Sequence, residues 1–177
     1  MYRWLAWVVV ALLAAFLASG CGGKDENSAT AWADDVCSAA TTWKDSITSA
    51  ADSLRGGNLS EDGLTSAVDD IQSATSDFVD DVRGLGAPDT DSGEQAKESL
   101  DQLADAADEN LSTIQSAVDD ASGVSGVVQA VTAIGTALST MASQVSSTVA
   151  ELKQLDAGGE LEAAFNDADS CKTLQSG

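Results

Sequence analysis

Apolar residues recur every three or four positions along most of the chain, a spacing that predicts amphipathic α-helices. The most regular run begins after Ser60 and advances by alternating steps of four and three residues. It comprises Leu64, Val68, Ile71, Thr75, Phe78, Val82 and Leu85. A seam of this kind is typical of helices that pack side by side. Ser60 is the predicted N-cap, since serine is a preferred capping residue and the acidic Glu61 and Asp62 follow it.

Three further long helices are predicted by the same periodicity. The first covers about Ser28–Arg55, the third starts at Ser92, and the fourth ends near Leu155. The apolar face of the first helix contains Trp32, Val36, Ala40, Trp43, Ile47 and Leu54. That of the third helix contains Ala96, Leu100, Leu103, Ala107, Leu111, Ile114, Val118 and Ala121. That of the fourth helix contains Val127, Val131, Ile134, Leu138, Met141, Val145, Val149, Leu152 and Leu155. Gln95 lies three residues after Ser92, which predicts a capping box. The two tryptophans of the first helix share one face, where we expect core packing, with stacking against a ligand as the alternative.

Glycines separate these predicted helices. Residues 122–126 leave two possibilities, a turn or a weak point in one long helix, and the turn is favoured because each glycine inside a helix costs about 1 kcal/mol. A short C-terminal helix follows from Glu160 and carries Leu161, Ala164, Phe165, Ala168 and Cys171. Short connections make neighbouring helices antiparallel. The predicted fold is therefore all-α, an up-down four-helix bundle over residues 30–177 with a short C-terminal helix.

The N-terminal segment has the features of a secretory signal peptide. Arg3 precedes an apolar run from Trp4 to Ala18, which is short for a membrane-spanning helix, and small residues follow at positions 19 and 20. The segment Leu17–Cys21 resembles the lipobox of bacterial lipoproteins, although its leucine stands four positions before the cysteine instead of the usual three. An ordinary secreted protein and an uncleaved membrane anchor are the alternatives.

The lipobox resemblance implies cleavage after residue 20 and attachment of a diacylglyceryl group to Cys21. Residues 1–20 are then a lipoprotein signal peptide, and residues 21–29 are a lipidated cysteine with a polar tether that reaches at most roughly 28 Å. Two or three acyl chains, palmitate among them, hold a protein firmly at a bilayer. The expected location is the extracytoplasmic side of the cell membrane, with the membrane as a partner through the N-terminal lipid.

The amino-acid composition limits the classes of binding partner and of catalytic or metal-binding chemistry that the sequence indicates. Removal of the leader leaves seven basic and 29 acidic residues, a formal charge of −22, so nucleic acid and anionic lipid surfaces would repel the chain. The sequence has no histidine, the commonest general base and metal ligand. Neither a Gly-x-Ser-x-Gly motif nor a phosphate-binding loop is present. We therefore assign no catalytic, cofactor-binding or metal-binding residue, expect no cofactor, and do not expect an enzyme.

Two cysteines remain once Cys21 carries lipid. Cys37 lies beside the apolar face of the first helix, and Cys171 lies on the small-residue face of the last. In an exported protein such a pair predicts a disulfide. A bridge across this long loop would contribute about 2–4 kcal/mol of stability. Two buried free thiols and a redox-active pair are the alternatives, although Cys-X-X-Cys spacing is absent.

Paired aspartates recur along the predicted helices. The pairs are Asp34–Asp35, Asp69–Asp70, Asp80–Asp81 and Asp119–Asp120. Adjacent residues of a helix point about 100° apart, so a pair is not a chelating unit. We expect solvated helix faces, with weak cation binding as the alternative. The segment Ser66–Asp70 reappears as Ser116–Asp120, which is either a coincidence of composition, the favoured interpretation, or the trace of a duplicated helical hairpin.

Taken together, the chain resembles small lipoproteins of actinobacteria. The resemblance rests on the lipobox, on the tether Gly22–Glu26, and on the segment Trp32–Cys37 followed by Trp43. It implies a location and no particular activity. We expect a non-catalytic bundle with an interaction, sensory or envelope role, and leave its protein partner and oligomeric state open. A ligand-binding or cation-binding lipoprotein is the alternative.

Overall fold

The computed structural model describes residues 28–56, 60–156 and 159–176, and within these ranges the chain forms six α-helices and no β-strand. The leader, Cys21 and most of the expected tether lie outside the described residues. The helices are α1 (Ala29–Gly56), α2 (Glu61–Gly84), α3 (Gly93–Asp119), α4 (Gly123–Gln154), α5 (Glu160–Asp167) and α6 (Asp169–Ser176).

The six helices pack against one another around one hydrophobic core. Helix α1 packs along α2, α2 along α3, and α3 along α4, whereas α1 contacts α4 much less extensively. The short helices α5 and α6 pack mainly against α1, and α5 also contacts α4. The prediction of an all-α helical bundle is confirmed.

The apolar seam of α2 forms as its spacing predicts. The Ser60 hydroxyl accepts a hydrogen bond from the Gly63 N–H at 3.1 Å and caps the helix. Six of the seven seam residues are buried, and Leu85 is half-buried at the end of the helix. Periodicity of this strength gives the buried face directly, since residues at steps of four and three lie on one side of a helix.

A turn separates α3 from α4, as predicted. Helix α3 ends at Asp119, and α4 begins at Gly123, whose φ of 66° lies in the left-handed region that glycine adopts at little cost. The earlier of the two glycines in this segment is therefore used for the turn. The repeated segments Ser66–Asp70 and Ser116–Asp120 differ in setting, since one lies within α2 and the other at the end of α3.

The C-terminal segment forms two short helices, so the prediction of a single one is wrong. Ala168 separates α5 from α6 with φ −62° and ψ 127°, an extended conformation. In one straight helix the side chains of residues 165 and 171 would point about 120° apart. The break allows both Phe165 and Cys171 to contact α1.

The predicted capping box at Ser92 is also absent. The backbone of Ser92 has φ −99° and ψ 11°, outside the extended region that suits a capping residue, and its side chain does not cap α3. Its hydroxyl instead donates to the Leu155 carbonyl at 3.4 Å. A contact between the start of α3 and the end of α4 has replaced the local one.

Helix α4 is the most apolar of the described helices. Among the described residues it is the one helix whose length and composition are sufficient for a membrane crossing, with a mean hydropathy of 1.4. Val127, Ile134 and Met141 are nevertheless buried in the protein core. In this structure α4 is therefore a packed helix of the bundle, and its composition alone does not make it a membrane span.

Candidate functional site

A disulfide joins the first and last helices, as predicted. The Sγ atoms of Cys37 and Cys171 are 2.03 Å apart, across a sequence separation of 134 residues. Both cysteines are buried, Cys37 among the apolar residues of α1 and Cys171 within α6. The bridge therefore fixes the C-terminal helix against the start of α1.

Aromatic packing reinforces this junction. The rings of Trp32 on α1 and Phe165 on α5 meet edge to face, with centroids 6.0 Å apart and planes at 84°. The Trp32 Nε1–H donates to the carbonyl of Gly86, just beyond α2, at 2.8 Å. We call the region formed by Trp32, Cys37, Gly86, Phe165 and Cys171 the disulfide end of the bundle.

Asp34 supplies a further contact at the disulfide end. Its Oδ1 accepts a hydrogen bond from the backbone N–H of Ser170, the second residue of α6, at 3.0 Å. A carboxylate at a helix N-terminus satisfies an otherwise unpaired N–H and opposes the positive end of the helix dipole. The first aspartate of the pair Asp34–Asp35 thus has a structural role.

The second tryptophan lies deeper in the core. Trp43 is 4% exposed, and its Nε1–H donates at 3.2 Å to the hydroxyl of Thr75, a fully buried polar residue of α2. Its ring also packs against Phe78, with centroids 5.7 Å apart. Both tryptophans are therefore enclosed by protein atoms with their N–H groups satisfied, which confirms core packing over stacking against a ligand.

The remaining aspartate pairs lie on exposed helix faces. Both members of Asp69–Asp70, Asp80–Asp81 and Asp119–Asp120 are exposed. Across the described ranges, no group of three or more Cys, Asp or Glu side chains is arranged to hold a metal ion. This geometry supports the expectation of solvated faces.

The largest of the described clefts lies beside the point where the described chain begins. It has a volume of about 470 Å³, is open to solvent, and separates the start of α1 from α5. Its lining includes Ser28 together with the carboxylates of Asp89, Glu160 and Asp167. Alanines and Thr30 complete the lining, and because the cleft is open to solvent it does not enclose a ligand as small-molecule pockets typically do.

Serine and threonine side chains mostly bond to their own helix. Thr132, Thr136 and Thr140 each donate from Oγ1 to the carbonyl four residues earlier, at 3.0 Å. Ser143 and Ser146 do the same at 2.9 Å. A hydroxyl activated for nucleophilic attack would instead donate to a neighbouring base.

One arginine links two helices on the acidic surface. The Arg83 Nη2 on α2 lies 2.8 Å from Asp105 Oδ1 and 2.8 Å from Asp108 Oδ2 on α3. The hydrogen bond to Asp105, which has the larger effect, and the hydrogen bond to Asp108 raise the pKa of the guanidinium above its ordinary value. The contact remains solvent-exposed, so we interpret it as a surface ion pair.

The opposite end of the bundle is built differently. Glu61 Oε1 at the start of α2 accepts from the Gly123 N–H at the start of α4, at 3.1 Å. Val124 and Val128, in the first turns of α4, are 78% and 48% exposed and are the exposed large hydrophobic residues of the described chain. We call the region formed by Glu61, Gly123, Val124 and Val128 the valine end.

Sequence reasoning had identified the cysteine pair and the aromatic residues, but it missed three carboxylates that bond helix N-termini. These are Asp34, Glu61 and Asp156, the last accepting from the Glu160 N–H at 2.9 Å. Of these three bonds, only that of Asp156 could be predicted from the sequence, because Asp156 lies four residues before its partner Glu160. The other two bonds join residues 136 and 62 positions apart.

Comparison of the chain with models of known protein families, with curated proteins and with solved structures finds no match.

Proposed function

We propose that the protein is a lipid-anchored, extracytoplasmic helical bundle with a non-catalytic interaction, sensory or envelope role. The observation that carries the proposal is the lipobox-like segment Leu17–Cys21, followed by a polar tether and a disulfide-bonded helical domain. A disulfide of this kind fits an exported protein, since thiols are kept reduced in the cytosol.

The position of the chain's first described residues supports attachment at the disulfide end. Ser28 directly precedes α1, accepts from the Ala31 N–H at 3.3 Å, and lies beside α5. A tether from Cys21 would therefore enter the bundle where the disulfide and Trp32 hold the helices together. In this arrangement the disulfide end faces the membrane and the valine end points away from it.

The finer architecture that we propose is an up-down arrangement of α1–α4. Contacts between successive helices support it. On α1, Trp32 donates to Gly86 and Trp43 donates to Thr75. Residue numbers increase along α1 while those of the partners decrease, as expected for two antiparallel helices. The bond between Glu61 and Gly123 likewise brings the start of α2 to the start of α4.

The chemistry of the described side chains supports a role without catalysis. The serine and threonine hydroxyls of α4 described above donate to backbone carbonyls, and Arg83 lies in a surface ion pair with Asp105 and Asp108. We expect the function to depend on the molecules that contact the surface of the bundle.

Intact mass spectrometry of protein extracted from membranes tests the anchor. We expect a polypeptide that starts at Cys21 with the added mass of two or three acyl chains. The Cys21→Ser variant should lose this mass and leave the membrane fraction or remain as an uncleaved precursor. The Ser19→Ala variant is the matched control, since it keeps a small residue at the cleavage site and should be processed normally.

Two results would contradict this proposal. One is full-length protein beginning at Met1 in the soluble cytosolic fraction of cells that express the unaltered chain. The other is heat released on titration with calcium, which would favour a cation-binding role over a purely interactive one.

A further inference from the structure

The disulfide of the folded chain competes with a bridge that would close a much shorter loop. Cys37 and Cys171 are separated by 134 residues, whereas Cys21 lies 16 residues before Cys37. The probability that the two ends of a flexible loop meet falls roughly as the −3/2 power of its length, so in an unfolded chain Cys37 meets Cys21 roughly 25 times more often than Cys171. An oxidant acting on the unfolded chain would therefore favour the Cys21–Cys37 bridge.

Formation of α1 does not keep these two thiols apart. Cys37 is nine residues beyond Ser28, which is about 14 Å along a helix at 1.5 Å per residue. Ser28 is seven residues after Cys21, and that length of chain measures at most roughly 25 Å when fully extended. Cys21 lies outside the described residues, and this limit depends on chain length alone. It is long enough for the two sulfurs to meet.

In the closed fold Cys37 is shielded by the helix that ends the domain. The Cα of Cys171 on α6 is 4.9 Å from the Cα of Cys37, and Cys37 and Cys171 are 0% and 1% exposed. Thiol–disulfide exchange requires access to the sulfur, so this burial protects the bridge once it has formed. A chain is made from its N-terminus, however, and Cys21 and Cys37 are present before Cys171. Burial therefore protects Cys37 only after the whole domain has been made.

We propose that lipidation of Cys21 precedes oxidation of Cys37 and directs Cys37 to Cys171. The inference rests on the proposed function, because it takes the attachment of lipid to Cys21 as its starting point. It adds a second consequence of that lipid, the removal of the thiol that competes with Cys171. A Cys21–Cys37 bridge would prevent both the lipid anchor and the disulfide of the folded chain.

A thioether removes Cys21 from thiol–disulfide chemistry. Its sulfur forms a bond to the glyceryl carbon of a phospholipid, the bond from that carbon to a phosphate oxygen breaks, and the phosphate leaves with the electron pair while the thiol proton passes to solvent. In the later step the thiols of Cys37 and Cys171 give two protons and two electrons to a disulfide oxidant, which becomes a dithiol. A thioether sulfur has no proton to lose and cannot attack a disulfide as a thiolate does.

The Cys171→Ser variant of the full chain tests the order of the two steps. Cys37 then lacks its partner, so any intramolecular bridge must join it to Cys21. Free thiols are blocked with N-ethylmaleimide at lysis, and lipid and bridges are located by non-reducing proteolysis and mass spectrometry. We expect chains with lipid on Cys21 and a blocked Cys37 to exceed Cys21–Cys37 bridged chains at least tenfold, because a thioether cannot form a bridge. This covalent readout does not require the variant to fold.

Prevention of lipidation tests the competition itself. In cells depleted of diacylglyceryl-transfer activity the unaltered chain keeps the Cys21 thiol. Shortly after pulse labelling, we expect at least tenfold more Cys21–Cys37 bridge than in undepleted cells, since the shorter loop closes more often. Cys21→Ser in the same depleted cells is the matched control. It is equally unlipidated, differs by a single atom in the side chain, and should form the Cys37–Cys171 bridge.

The outcomes separate this inference from the proposed function. If the unaltered chain in depleted cells contains the Cys37–Cys171 bridge alone, the competition is overturned and the lipid anchor stands. If Cys171→Ser in undepleted cells is mainly bridged between Cys21 and Cys37, the proposed order is wrong. If the unaltered chain in undepleted cells has no lipid on Cys21, the anchor and this inference both fail, and its intact mass identifies that case.

Discussion

The two ends of this bundle are held together by different means. The disulfide end combines a covalent bridge, an edge-to-face aromatic pair and the bond between Asp34 and Ser170. Among the described residues, the valine end is held by the bond between Glu61 and Gly123 and by the packing of aliphatic residues such as Leu64 and Val127. The comparison leads us to expect that stability in this fold is graded along the helices and is greatest where the chain enters the domain.

The gradient has a physical reason. Aromatic rings bury more apolar area than aliphatic side chains, and Trp32 and Phe165 both lie at the disulfide end. The rest of the core contains one further aromatic pair, Trp43 and Phe78, and is otherwise mainly aliphatic, so it gains less from each buried residue. We therefore expect the end proposed to face the membrane to be the more stable one, and the end proposed to face outward to open more easily.

The largest expected effect is at the centre of the disulfide end. Trp32→Ala should lower the free energy of unfolding by about 3–5 kcal/mol, because it removes a fully buried indole. Urea denaturation followed by far-ultraviolet circular dichroism measures this. Val128→Ala at the valine end is the control and should change stability by less than about 0.5 kcal/mol. Equal losses would contradict the gradient.

Removal of the bridge should have the next largest effect. The double variant Cys37→Ala, Cys171→Ala leaves no unpaired thiol and should cost about 2–4 kcal/mol. Hydrogen exchange should show lost protection in α5 and α6, which pack mainly against α1, and little change in α3. Uniform loss across all helices would show that the two ends unfold as one unit.

At the valine end a smaller effect is expected. Glu61→Gln removes the negative charge that accepts from the Gly123 N–H, which should cost about 0.3–1 kcal/mol. Hydrogen exchange at the first amides of α4 should quicken. Glu109→Gln, an exposed change on α3, provides the comparison, and an identical response to it would rule out a specific contact at Gly123.

The smallest effect is expected for Arg83, which lies on the surface. Arg83→Gln should lower stability slightly at low salt and by still less at high salt, because exposed ion pairs are screened. Since the pKa of Arg83 is raised in the folded chain, its contribution persists from neutral pH up to the ordinary arginine pKa and is lost as the guanidinium deprotonates in strong alkali. Arg83→Lys keeps the charge and should recover part of the loss. A pH-dependent loss near neutrality would contradict this assignment.

Strong periodicity made much of the fold predictable. The seam of α2, the N-cap at Ser60 and the break before Gly123 depend on residues close together in sequence, and all three are found in the structure. The disulfide was predictable because only one pairing was left once Cys21 was assigned to lipid. Local residue patterns were sufficient for the first three features, and the number of remaining cysteines was sufficient for the disulfide.

The errors lie where distant segments compete with local rules. Ser92 has the sequence of a capping box, but its hydroxyl bonds to Leu155. Ala168 has no helix-breaking side chain, yet its backbone is extended because Phe165 and Cys171 both contact α1. No pattern within either segment contains the partner that decided its conformation.

The amino-acid sequence by itself determined the helices, their buried faces and the cysteine pair, since these follow from spacing and composition. Tertiary structure alone decided which contacts hold each end, which carboxylates bond helix N-termini, and that Val124 and Val128 on α4 are exposed. The physical reason is that a helix of 3.6 residues per turn fixes its own faces, whereas coverage of a face depends on where the other helices lie.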